Sequence, residues 1–167
     1  MSVGIEKQEN IVWDDLKQLH TEAEWKCGVY EADKYIETIF AIADETPGFY
    51  QYLFLDKEFH CLVKVLEGFK PQSAVNIFLL ASHFNNLLKD GVVEIDVNSS
   101  SVFYRVKKDV LVPLLYSGEI YNQLTSHYNT SKDIYWAFQK LAADNEEPAL
   151  IIADLMKKRD QQVKQEE

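Results

Sequence analysis

The stretch from Val93 to Val106 constrains this chain more than any other. Val93, Ile95 and Val97 alternate with Glu94 and Asp96; beyond Asn98–Ser101, Val102, Tyr104 and Val106 alternate with Phe103, Arg105 and Lys107. A period of two belongs to an extended strand with one dry face, and two such runs joined by a short polar link predict an antiparallel hairpin. Pairing across the link sets the acids of one strand opposite the bases of the other on the wet face, while branched and aromatic side chains meet on the dry one. A fold for this chain must contain that hairpin and supply something to cover it.

The remaining segments are assigned around it. Val75, Phe78, Leu79, Ala81, Leu87 and Leu88 mark a well-buried helix over residues 72–89, widened by Phe84 and ended by Asp90-Gly91. Before it, Phe49–Leu55, the polar link Asp56-Lys57-Glu58 and Phe59–Leu66 read as a first hairpin. Phe59, Leu62, Val63, Leu66 and Phe69 also fit a helical stripe, but β-branched and aromatic content decides for strand. Near the N-terminus, Val12, Leu16, Leu19 and Ala23 predict a helix over 11–25 with Asn10 as its cap. After a break at Gly28, a second helix is expected, with Ala32, Tyr35, Ile36, Ile39, Phe40 and Ala43 as its stripe, stopped by the turn at Thr46-Pro47-Gly48. Beyond the second hairpin, Val110–Pro113 reads as an extended edge, and Ser117 as the cap of a helix carrying Ile120, Leu124 and Tyr128. Asn129-Thr130-Ser131 interrupts that helix, a further one displays Ile134, Phe138 and Leu141, and Glu146-Glu147-Pro148 opens the last. The expected fold class is α+β: an antiparallel sheet packed with helices in the order α(α)ββαββα(α). It forms a single domain over residues 10–160, between a flexible N-terminus (1–9) and a disordered tail (161–167).

Charge and chemistry narrow the function classes. Seventeen basic against twenty-seven acidic residues leave a net charge of −10, which excludes nucleic acid or anionic membrane as a partner held by bulk charge. No apolar run approaches the roughly eighteen residues of a membrane span. The start Met1–Glu6 has neither the basic nor the apolar region of a signal peptide, and Cys27 and Cys61 are too few for a disulfide framework, so a cytoplasmic location is expected. His20, His60, His83 and His127 are scattered, and His60-Cys61 points its side chains to opposite faces of a strand. The six glycines are far apart, and no G-x-S-x-G motif occurs. No catalytic, metal-binding or cofactor-binding residue is assigned, no cofactor is expected, and the expectation is a protein without enzymatic activity.

The feature that invites a functional reading is the aromatic surplus at the first hairpin. Phe49, Tyr50, Tyr52, Phe54 and Phe59 occupy both phases of the alternation, whereas a sheet covered on one face needs one. They are the candidate partner-binding residues, forming a patch for dimerisation or for docking another chain.

Residues 85–95, Asn-Asn-Leu-Leu-Lys-Asp-Gly-Val-Val-Glu-Ile, followed by Ser101-Val102-Phe103-Tyr104-Arg105-Val106, resemble the YbjN-like proteins, which share the fold of the type III secretion chaperones and include uncharacterised cyanobacterial and plastid relatives. Asp133–Phe138 is similar to the last helix of that family. The resemblance runs from about Gly28 to Leu141. The family pattern has three strands before the central helix, where the residues here predict two. The resemblance implies an αβ sandwich, often a homodimer, that holds other polypeptides or regulates them. The expectation is therefore a non-enzymatic, chaperone-like or regulatory protein acting as a homodimer through its aromatic face. An acidic immunity or inhibitor-type protein that neutralises a basic partner is the alternative, and a small-molecule binder or enzyme built on a His and carboxylates comes third.

Overall fold

The computed structural model describes residues 2–115 and 118–166. In chain order the elements are α1 (Ser2–Glu22), β1 (Cys27–Tyr30), β2 (Tyr35–Ala43), β3 (Thr46–Leu55), β4 (Glu58–Leu66), α2 (Ala74–Leu87), β5 (Val92–Asp96), β6 (Ser101–Asp109), α3 (Leu111–Leu115), α4 (Glu119–Asp144) and α5 (Pro148–Glu166). The strands form one antiparallel sheet in the order β1-β2-β3-β4-β6-β5, packed with helices, so the fold class is α+β. The chain gathers into two compact units: Met1–Val63 with Arg105–Thr130, and Lys64–Tyr104 with Ser131–Glu167.

In the first unit, β3 and β4 form the expected hairpin and Phe59–Leu66 is extended. Asp56 and Lys57 both adopt left-handed backbone (φ 51° and 69°), the two-residue turn whose twist matches that of the strands it joins. That turn fixes the register: Phe54 faces Phe59, Tyr52 faces Cys61 and Tyr50 faces Val63. The helix expected over 32–43 is instead the strand β2, paired with β3 from Tyr35↔Leu53 to Ala43↔Thr46. Its apolar positions satisfy both periods, but Ile36, Thr38 and Ile42 are buried alternately while Ile39 is exposed, and branched side chains favour the pleated surface.

Thr46-Pro47-Gly48 belongs to β3 rather than to a turn. The reversal falls one residue earlier, at Glu45 (φ 57°), and Gly48 serves close packing, since a Cβ there would lie 3.0 Å from both Ile42 and the Tyr50 ring. Gly28 is likewise a strand residue of β1. α1 starts at Ser2, so Asn10 lies inside it rather than capping it, and residues 2–9, expected to be flexible, are helical.

In the second unit, α2 packs on α5 and β5. Ile77, Leu80, Ala81 and Phe84 face inward with Val93, Val102, Tyr104, Ile134, Phe138 and Leu141. The hairpin of β5 and β6 forms as expected, Gly91 opening it with φ 83°, but β5 ends at Asp96, so Val97, expected on its dry face, lies in the turn and is 65% exposed.

Three more expectations give way. Leu111–Leu115 is a short helix, not an extended edge. α4 runs unbroken through Asn129-Thr130-Ser131: no glycine or proline stands there, and Ser131 is fully buried. The cap proposed at Ser117 lies outside the described residues. α5 continues through the tail expected to be disordered, to Glu166. It is tied to the second half of α4 by Arg159, whose Nε and Nη2 both donate to Asp133 Oδ2 (3.0 and 2.8 Å). Lys140 adds bridges to Glu146 and Asp154, each 2.8 Å.

The last strand of the sheet on this side, β5, has its free edge occupied by a side chain. Asn85 accepts from the Val93 N–H (2.7 Å) and donates to the Val93 carbonyl (3.1 Å), as a neighbouring strand would. Asn85→Ala is expected to cost about 1–2 kcal/mol in denaturant unfolding by leaving both backbone groups unpaired. Asn85→Asp restores only the acceptor and is expected to recover less than half of the loss.

Candidate functional site

The rings expected at the surface build the core of the first unit. Tyr50, Tyr52 and Phe59 are 0% exposed, Phe54 is half-buried, and Phe49 alone stands out, at 50%. Tyr50, Tyr52 and Phe54 share one face of β3, and the two-residue turn sets Phe59 opposite Phe54 on that same face. Tyr52 packs against the His20 ring at 5.5 Å, Phe54 against Trp13 at 6.2 Å and Phe59 at 5.3 Å, and Tyr50 against Phe40 at 5.3 Å and His127 at 5.8 Å. Tyr50, Tyr52 and Phe59 therefore cannot meet a partner without unfolding, because the molecule's own helices cover them. Phe49 projects to the opposite face, directly across from exposed Ile39.

Buried polar groups lie among these rings. His20 Nδ1 donates to the Leu16 carbonyl and its Nε2 accepts from the Thr38 hydroxyl, both at 2.8 Å, so the neutral imidazole satisfies both partners. Burial holds its pKa below the usual histidine value, against the opposing pull of the Leu16 carbonyl. Cys61 is fully buried beside Gln123, and burial pushes its thiol well up, away from the thiolate that a nucleophile requires. Burial raises the Tyr52 hydroxyl in the same way.

On the other face of β4, His60 Nδ1 lies 3.3 Å from Arg105 Nη1, and its Nε2 lies 3.5 Å from Glu58, which also holds Lys107 at 3.1 Å. Burial first and the Arg105 charge second lower the His60 pKa, with Glu58 opposing. A histidine beside a carboxylate is thus present, but two cations share the carboxylate's surroundings and the group reads as a salt-bridged patch of sheet surface. Among the described residues no three His, Cys, Asp or Glu side chains converge as a metal site, and no helix is long and apolar enough to cross a membrane.

The second unit displays what the first hides. Val75, Phe78 and Leu79, assigned from the sequence to the buried stripe of α2, are 70%, 50% and 49% exposed. They occupy positions i, i+3 and i+4, one face of the helix, while Ile77, Leu80, Ala81 and Phe84 take the other. The fourteen residues of α2 include no Asp, Glu, Lys or Arg. The signal was present in the sequence: two apolar stripes in one short helix exceed what one core face can absorb.

Comparison with described protein families finds none that matches this chain, and no curated protein matches it.

The two lowered histidines give a pH dependence with a definite sign. Below the ordinary imidazole value of about 6.5, the unfolded chain takes up protons at His20 and His60 that the fold resists. Stability is therefore greatest above that value and falls as pH drops towards the lowered folded values. Denaturant midpoints are expected to decline between about pH 7 and about pH 5, before most carboxylates titrate. His20→Gln is expected to flatten that decline, and an unchanged slope would remove His20 from the account.

Proposed function

We propose that the protein is a non-enzymatic, protein-binding homodimer, chaperone-like or regulatory, whose two copies meet through the outer face of α2. The observation that carries this reading is the exposed Val75–Phe78–Leu79 stripe on a helix without charge. A contiguous apolar face of this kind favours an interface, since scattered single apolar residues are the ordinary surface pattern. The choice of a second copy follows from electrostatics. Two chains of net charge −10 repel each other, and they approach at least cost where neither presents charge. A two-fold axis then sets the stripe against itself, Phe78 near the centre and Val75 opposite Leu79, as an isologous interface requires.

The element order supports the resemblance to the YbjN-like and secretion-chaperone fold. Leaving aside the four-residue β1, it reads helix, three strands, helix, two strands and closing helices, and the three strands before α2 match the family pattern. Fold resemblance does not by itself fix function, so the weight rests on the α2 face.

Sedimentation of the full chain tests the reading. Wild type is expected to sediment as a dimer. Phe78→Glu, a change at a half-exposed position, is expected to keep the native circular dichroism and to weaken dimerisation by about a hundredfold. A monomeric wild type, or a Phe78→Glu variant of unchanged dimer mass, would overturn the assignment.

A further inference from the structure

In the first unit, Trp25, Phe40, Tyr121, Leu124 and Tyr128 line a cleft of about 350 Å³. Trp25 and Phe40 meet edge to face, with centroids 5.1 Å apart and planes at 88°, and Phe40 meets Tyr128 at 5.6 Å and 65°. The inner corner of an edge-to-face pair is bounded by two ring faces at nearly right angles. Each face carries the negative lobe of the ring quadrupole, so a cation in the corner is attracted from two sides, whereas a neutral guest of equal shape gains burial alone.

The walls are held before any guest arrives. Tyr128 Oη donates to the Ala41 carbonyl at 2.8 Å, and the Trp25 backbone N–H donates to the His20 carbonyl at 3.0 Å. The Trp25 ring also rests against buried His20, centroids 5.1 Å apart.

Charge points the same way. Among the described residues no lysine or arginine lines the cleft. Tyr121 is also a wall of the adjoining cleft, about 320 Å³, where Asp15, Glu22 and Glu119 stand, again with no basic residue. The carboxylates alone are an ordinary solvated surface; beside the rings they bias the occupant towards positive charge. Elsewhere the chain already sets cations over tryptophan: Lys17 lies 5.4 Å from the Trp13 ring centre, and Lys140 and Lys158 each lie 5.3 Å from that of Trp136. Besides the hydroxyls of Tyr121 and Tyr128, the latter engaged with the Ala41 carbonyl, the polar side chains of the cleft are Thr125 and Asn129. A primary ammonium, which needs three acceptors, would be poorly served, whereas a quaternary one carries no N–H and leaves no donor unsatisfied.

From these observations we propose that the cleft binds a small quaternary alkylammonium ion, its head in the Trp25–Phe40 corner and its alkyl stem towards Tyr121. The site is independent of the α2 face, which belongs to the other unit, so either can fail without the other.

The probe is choline, titrated into the full-length protein while the tryptophan indole N–H resonances are followed by NMR. The Trp25 resonance is expected to shift saturably while those of Trp13 and Trp136 stay in place. Two controls sharpen the reading. 3,3-Dimethylbutan-1-ol, which has the shape of choline without its charge, is expected to bind about threefold to tenfold more weakly. Phe40→Leu keeps an apolar wall without a quadrupole and is expected to lose affinity by a similar factor; Tyr121→Leu, at a half-exposed ring, replaces it should Phe40→Leu not fold. Equal binding of the neutral alcohol, equal movement of all three indoles, or no saturable shift by choline on the order of tens of millimolar would overturn the proposal.

Discussion

The first unit depends on a two-residue turn. With Asp56 and Lys57 both left-handed, β3 and β4 can pair in one register only, and that register sets Tyr50, Tyr52, Phe54 and Phe59 on one face of the sheet. A slip of one residue would send the first three to the opposite face and bring Phe49 in. Trp13 and His20 of α1 and His127 of α4 pack against these rings, so the seating of both helices follows from the turn. The buried state of Cys61 follows too, because it is the cross-strand partner of Tyr52.

The parity of that hairpin is legible in the sequence. Counting along the chain, Phe49 stands alone in one phase while Tyr50, Tyr52 and Phe54 share the other; a two-residue turn then carries Phe59 to their side. The surplus of rings was a core, and one ring was left over. Segments whose pattern fits a single period are read directly: the β5–β6 hairpin, α2 as a helix, and the start of α5 at Pro148; β4 fits two, and its β-branched and aromatic content decides for strand. Tyr35–Ala43 meets the helical stripe and the strand alternation alike, and its strand state is settled by pairing with β3, a contact no local window contains. In α4 the reverse holds: the polar cluster Asn129-Thr130-Ser131 is carried through by a helix that is buried on either side of it, and Ser131 is itself buried. Local propensity is a weak prior against packing of that extent.

The same limit explains the misread face of α2. Hydrophobic spacing identifies a helix but cannot say which of two apolar stripes turns inward. The choice is made by packing on α5, on β5 and, through Phe84 stacked on Phe138, on α4, which buries Ile77, Leu80, Ala81 and Phe84 and leaves Val75, Phe78 and Leu79 to solvent. Asn85, on the same helix, shows how closely α2 is fitted to β5: its amide replaces a strand neighbour at Val93, closing the sheet edge against a stray chain.

An edge guarded in this way makes the unguarded face of α2 more informative. At 26% charged residues, fourteen positions would carry about three or four charges by composition, and α2 carries none. Its core-facing positions explain only part of that, because the inner stripe has to be apolar in any sequence. The outer positions Val75, Phe78, Leu79, Ser82 and Asn86 are free of the core and could hold glutamate or lysine at no packing cost. Solubility would favour such residues, and an acidic chain has them in abundance on its other helices. Their absence from one helix face is thus a cost to the free monomer with no return in folding. In the proposed homodimer that cost is recovered when the face is covered, because a face without charge lets a second copy of so acidic a chain approach with little repulsion.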